Sequence, residues 1–169
     1  MAAIQSQSRL QASNLMATGA IVGVVAGVIF AMFEMVMAAI MGDGFFMPLR
    51  MIGAIVLGED ALMSSYSLAG AAAVGAIVHM MMSAIFGAVF GAIIALAPAL
   101  RESNLRLVAA ATVYGVVLWI INFYVIAPIA FEWFGMADST VQFVAHTFFF
   151  GSVLGLLMLA RGASRTDVV

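Results

Sequence analysis

Cysteine and lysine are both absent from this 169-residue chain, proline occurs three times, and charged residues make up only 8% of it. Without cysteine there is no disulfide framework, thiolate metal site, thiol nucleophile or iron–sulfur cluster. Without lysine, and at a net charge of −2, no basic patch exists to neutralise phosphates, so nucleic acid is not an expected partner. The scarcity of charge excludes a water-soluble domain, where roughly a quarter of residues are charged. It also excludes intrinsic disorder, which needs low hydrophobicity and high net charge. P-loop, GxSxG and dinucleotide fingerprints are missing as well. What the chain has is apolar surface: 66% hydrophobic residues and a mean hydropathy of +1.20. It belongs in a bilayer.

A helix needs about 20 mostly apolar residues to cross the hydrocarbon, and four stretches qualify: about 17–41, 68–98, 105–127 and 139–160. The third is expected to stop before Pro128, and the fourth to start at Ser139 as N-cap, after Asp138. The runs are apolar all round, which is not the alternation of a membrane strand. The first is too long for a signal h-region and reads as an anchor. Arg9, Arg101, Arg106, Arg161 and Arg165 fall on one side and Arg50 alone on the other, so the positive-inside bias puts both termini in the cytoplasm. A bacterial inner (plasma) membrane is the expected location. In the first outer connection, Gly42-Asp43-Gly44 reads as a turn and Pro48 suits a first helical position. The apolar segment Met47 to Leu57 is too short to span and is expected to lie at the outer interface. Phe45, Phe46, Tyr66, Tyr124, Trp133 and Phe134 flank the same boundary as an aromatic belt. The expected fold is an all-α, four-helix up-down bundle, one transmembrane domain over residues 1–169.

Glu34, His79, Asn122 and His146 are the polar side chains set deep in these runs. A charge at mid-bilayer costs on the order of 2.5–3.5 kcal/mol even on lenient scales, so such groups face protein or water and have partners. At 1.5 Å per residue they lie roughly 10, 16, 8 and 10 Å below the outer ends of their helices. One polar layer with a contribution from every span is expected. Gly75, His79, Ser83, Gly87 and Gly91 recur every fourth position, and Gly19, Gly23 and Gly27 form a second small-residue stripe with Glu34 on nearly the same face. Gly151 and Gly155 fall about 140° around an ideal helix from His146, which suggests a contact elsewhere, with a second subunit. Val78-His79-x-x-x-Ser83 with Gly87 and Gly91 echoes Ala145-His146-x-x-x-Phe150-Gly151 with Gly155, a faint duplication of two hairpins.

The segment His79-x-x-x-Ser83-x-x-x-Gly87-x-x-x-Gly91 resembles a pattern in small four-span bacterial membrane proteins, the YagU-like group. The resemblance covers one helix and implies no activity.

Two histidines and a carboxylate suit zinc or iron, with Asn122 or Ser83 as a fourth or supporting group. Met80, Met81 and Met82 beside His79 extend the choice to copper, and opposed histidines also suit the axial positions of haem b. On this reading the chain is a subunit of a redox or metal-handling membrane complex, or a homo-oligomer. The alternatives are a structural accessory subunit, in which the polar groups fix helix register, and a proton- or ion-conducting oligomer. Trp119 and Phe148-Phe149-Phe150 read as lipid or subunit contacts.

Overall fold

The computed structural model describes residues 2–163. Arg165, expected with the other arginines of its side, lies outside them. Among the described residues all regular structure is helical. We number the helices α1 (Ala2–Met41), α2 (Met47–Leu57), α3 (Leu68–Leu96), α4 (Asn104–Ala130) and α5 (Ser139–Ala160). All except α2 contain a segment long and apolar enough to cross a membrane, which makes this a multi-pass membrane protein.

Local chemistry accounts for most boundaries. Ser67, Ser103 and Asp138 cap α3, α4 and α5 by accepting from the backbone N–H of Gly70, Arg106, and Thr140 with Val141. The cap of α5 is therefore Asp138, one residue before the expected Ser139. Gly42 and Gly44 take positive φ of 90° and 99°, which side chains resist, and this ends α1 at the expected turn. Helix α1 begins at Ala2, far before Ala17, because the polar stretch ahead of the apolar run has no proline or glycine and forms helix readily. At the end of α3, Pro98 opens a short 3₁₀ turn, Pro98–Arg101.

Two segments depart from α geometry. Residues Ile121–Ile126 of α4 and Ala145–Ser152 of α5 are π-helical, with i→i+5 hydrogen bonds. Helix α4 accordingly does not stop before Pro128. That proline sits in the first turn of Ala127–Ala130, which restarts after the π segment, where a missing N–H is tolerated.

Packing rests on backbone contact at glycines. Gly19 abuts the Gly87 carbonyl, Gly23 the Ser83 carbonyl, and Gly91 the Leu15 carbonyl. Rising numbers on α1 meet falling numbers on α3, so the two cross antiparallel. Gly75 leaves the expected stripe. It receives α2, whose Leu49 carbonyl occupies the place of a Cβ, while Gly53 of α2 meets the Ala71 carbonyl. The second hairpin closes in the same manner, with Gly115 on the His146 carbonyl and Gly151 on the Ala111 carbonyl. Gly155 packs on Val108 and Ala111. The expectation that Gly151 and Gly155 serve a second subunit is thus corrected: they hold α5 to α4. The reason is the π segment, in which residues five apart share a face. Both His146 and Gly151 accordingly meet Gly115.

Phe90, Ile94, Leu107, Leu154 and Met158 form the dry centre of the bundle toward its Arg101 end. Of the phenylalanine run, Phe150 is buried in this core and Phe149 stacks on Phe33 at 4.0 Å, so only the half-exposed Phe148 faces outward as expected. Trp119 packs on Tyr124 and Phe143 within the chain. At the α2 end, the Arg50 guanidinium donates to the carbonyls of Ala61 and Met63, and the Trp133 indole to that of Met51 at 3.0 Å. At the other end Arg101 Nε donates to the Ala163 carbonyl at 2.7 Å.

Gly87→Val is expected to lower the unfolding free energy in detergent by about 1–3 kcal/mol or more, the range for overpacking, because its new carbons meet the Gly19 carbonyl and the Gly23 Cα. Gly135→Ala, which meets nothing within 4 Å, is expected to have no measurable effect. Equal thermal unfolding curves for the two variants would refute backbone contact as the closing interaction.

Candidate functional site

The contact of α1 with α3 continues upward to the polar groups. At Gly27 the absent side chain leaves room for Ser83, and the His79 ring reaches the backbone: its Nε2–H donates to the Gly27 carbonyl at 2.9 Å. A carbonyl only accepts, so the tautomer is set and Nδ1 keeps a lone pair. Ser83 Oγ donates back to the His79 carbonyl one turn earlier, at 2.7 Å, and so braces the same contact.

The second hairpin holds its histidine differently, within its own helix. His146, in the π segment of α5, donates from Nδ1 to the Gln142 carbonyl at 2.8 Å, and Nε2 keeps the lone pair. Its own backbone meets Gly115, as Ser83 and the His79 ring meet Gly27. Both histidines thus sit beside a glycine of the neighbouring helix, His79 through its ring at Gly27 and His146 through its backbone carbonyl at Gly115.

Between the two imidazoles stands Phe30. Its ring centroid is 5.3 Å from His79, stacked, and 4.8 Å from His146, edge-on. Phe123 covers His146 from another side at 5.6 Å. One turn beyond Phe30, Glu34 is 6% exposed. Its carboxyl takes a side-chain hydrogen bond from Gln142, yet Oε1 has no partner. Asn122 is half-buried on the π segment of α4. Met80, Met81 and Met82 point different ways, and only Met82 reaches the same space.

That space is a cavity of about 620 Å³, lined by Glu34, His79, Asn122, Gln142 and His146. Residues from α1, α3, α4 and α5 thus meet in the lining of one cavity. Gln142 is the member the sequence reading missed. It sits one turn into α5 and reads as part of a polar helix start, although its i+4 relation to His146 was a usable signal. The remaining walls are mostly apolar. On one flank they include Ile85 and Val89 of α3 with Val117 and Ile121 of α4, all of them exposed. Helices α3 and α4 are bridged there by Tyr114, whose hydroxyl donates to the Phe86 carbonyl at 2.9 Å and whose ring lies 5.4 Å from that of Phe90.

A metal ion needs several donors within one coordination sphere. Among the described residues no group of three or more His, Cys, Asp or Glu lies close enough to hold one. Each histidine commits one ring nitrogen to a backbone carbonyl and keeps the other, and Phe30 packs against both rings. Together with Glu34, Asn122 and Gln142, the two histidines belong to the polar part of the chamber lining. They form a floor with unused acceptors under an apolar chamber. No family model, curated protein or solved structure matches the chain.

Gln142→Leu is expected to cost about 1–3 kcal/mol of stability, because it strips a buried carboxyl of its partner. In a Glu34→Leu background the same change is expected to cost at least about 1 kcal/mol less, the coupling of two groups in contact. A double-mutant cycle of unfolding free energies in detergent measures this; simple additivity would deny the pairing.

Proposed function

We propose that this protein is a membrane-embedded binding protein whose chamber takes a small lipid-soluble molecule bearing a polar group, held at Glu34. One observation carries the reading: a carboxyl oxygen that is buried and unpaired, in a side chain that lines a cavity large enough for a ligand. A buried polar atom without a hydrogen bond costs roughly 1–3 kcal/mol. A ligand that donates to Glu34 Oε1 removes that cost. Ligand chambers of this kind are mostly apolar, with a few placed polar groups that fix orientation.

The chamber is one-sided. It is lined by α2 and the turn ending at Asp138, and its flank runs between α3 and α4. Toward the Arg101 end it meets the apolar centre around Phe90, Ile94, Leu107 and Leu154, each at most 1% exposed. A conducting path needs polar groups or water along its whole length, so a receptor-like site suits these walls better than an ion path. A molecule dissolved in the bilayer reaches the chamber through the flank and does not have to cross a headgroup layer first.

In our reading the four long helices form an up-down bundle in a bacterial inner membrane, with both termini cytoplasmic and the α2 end outside. Five of six arginines then lie inside. The sixth, Arg50, is the one tied down by backbone carbonyls at the α2 end.

The natural lack of cysteine makes a direct test simple. In oriented vesicles, Gln142→Cys is expected to react with a small membrane-impermeant thiol reagent added on the extracytoplasmic side only, and Ala99→Cys on the cytoplasmic side only. Reaction of Gln142→Cys from the cytoplasmic side would replace the one-sided chamber with a conduit. One equivalent of metal in protein isolated without chelator, lost in His146→Ala, would replace it with a metal centre.

A further inference from the structure

We infer that the ligand of this chamber is a lipophilic organic ammonium, an alkyl- or aryl-substituted amine carrying its proton. The inference rests on the binding reading above and narrows it to one chemical class.

Three features of the walls point the same way. First, every formally charged side chain lining the chamber is acidic: Glu34 at the floor, with Asp43 and Asp138 toward the α2 end. No arginine lines it, because Arg50 turns to Ala61 and Met63 and the other described arginines lie toward the opposite end. An anion entering here would meet charge of its own sign and no partner. Second, the floor accepts hydrogen bonds. Glu34 Oε1 is unpaired, and the N–H of each imidazole is committed to a backbone carbonyl, which leaves lone pairs on His79 Nδ1 and His146 Nε2. A ligand with several N–H donors satisfies such a floor, whereas a ketone or ether does not. Third, Phe30, Phe86, Phe123, Phe131, Phe134 and Phe150 all line the same space. Aromatic faces attract cations, most strongly where water is excluded.

The size and the apolar walls decide between an organic and an inorganic cation. A bare metal ion needs a shell of several oxygen or nitrogen donors at short range, and the described residues offer no such cluster. A cavity of about 620 Å³ with mostly apolar walls instead matches a charged head at the floor and a hydrocarbon body filling the rest. Such a molecule concentrates in the bilayer with its head near the interface, which brings it to the α3–α4 flank in a suitable orientation. The positive head and the Glu34 carboxylate then form a pair that neither could leave unmatched in this environment.

The test uses the full-length chain in phosphatidylcholine nanodiscs, with empty discs as blank, and equilibrium dialysis of three matched probes: 4-phenylbutylammonium, 4-phenylbutanol and 4-phenylbutanoate. The ammonium is expected to bind saturably at one per chain, the alcohol about tenfold or more weakly, and the carboxylate not above the blank, a gap of the size one desolvated charge interaction produces. Glu34→Gln is expected to weaken the ammonium about tenfold or more while the alcohol changes less than about twofold. Glu34→Asp, which retains the charge, should keep the order of the three. Ala38→Trp fills the cavity a turn from Glu34 and should abolish binding of all probes. Equal affinity of ammonium and alcohol, or equal loss of both in Glu34→Gln, would overturn the cation class and leave the binding chamber standing. Ammonium binding that survives Ala38→Trp places the cation elsewhere and overturns the inference. If no probe binds while Gln142→Cys still reacts from one side, the chamber is open but its occupant is not an ammonium.

Discussion

The approach of α1 to α3 with no side chain between them is the constraint from which the other features follow. Gly19, Gly23, Gly87 and Gly91 bring backbone against backbone, and in lipid such contact, rather than hydrophobic exclusion, is what holds helices together. At the top of that seam Gly27 presents a bare carbonyl to His79. A side chain at Gly27 would displace Ser83, whose hydroxyl is bonded to the His79 carbonyl. The polar layer is therefore not laid over a finished bundle. It is the upper end of the closure itself, which is why its histidine tautomers are determined by backbone groups.

The second hairpin reaches its closure by another route. An α-helical α5 would turn Gly151 away from His146, so one contact surface could not hold both. The π segment Ala145–Ser152 puts them on one face against Gly115. A π turn is less favourable than an α turn and persists only where something depends on it. Here the dependence is visible: it joins helix packing to the placement of His146. Asn122 lies in the π segment of α4, so both spans of this hairpin leave α geometry at the level of the chamber.

Much of the architecture can be read from residue order. Hydropathy marks the four long helices, and the Gly42-Asp43-Gly44 turn followed by Pro48 marks α2 to the residue, Met47–Leu57. The convergence of Glu34, His79, Asn122 and His146 follows from depth counting along straight helices, which tolerates errors of a turn. Angles around a helix do not tolerate them. The position of Gly151 was misjudged because a π segment leaves no composition signal, and the same blindness ended α4 at Pro128. The wedge of Phe30 between the imidazoles was illegible for a different reason. A phenylalanine in an apolar run carries no mark that separates it from its lipid-facing neighbours, yet this one packs against both histidines. Gln142 was lost at a helix start, where glutamine is ordinary.

Glu34 could have been a register device, since polar pairs between membrane helices average only about 0.6 kcal/mol and need no further purpose. A register device, however, is satisfied within the protein. Ser83 meets that description, bonded to a backbone carbonyl, and each imidazole commits its N–H in the same way while keeping one lone pair. Glu34 does not: Gln142 reaches its carboxyl, Oε1 is left unpaired, and the chamber begins there. The difference between satisfied and unsatisfied groups within one layer separates scaffold from site. Satisfied members hold the walls in place, and the open oxygen marks where a molecule from the bilayer completes the bonding.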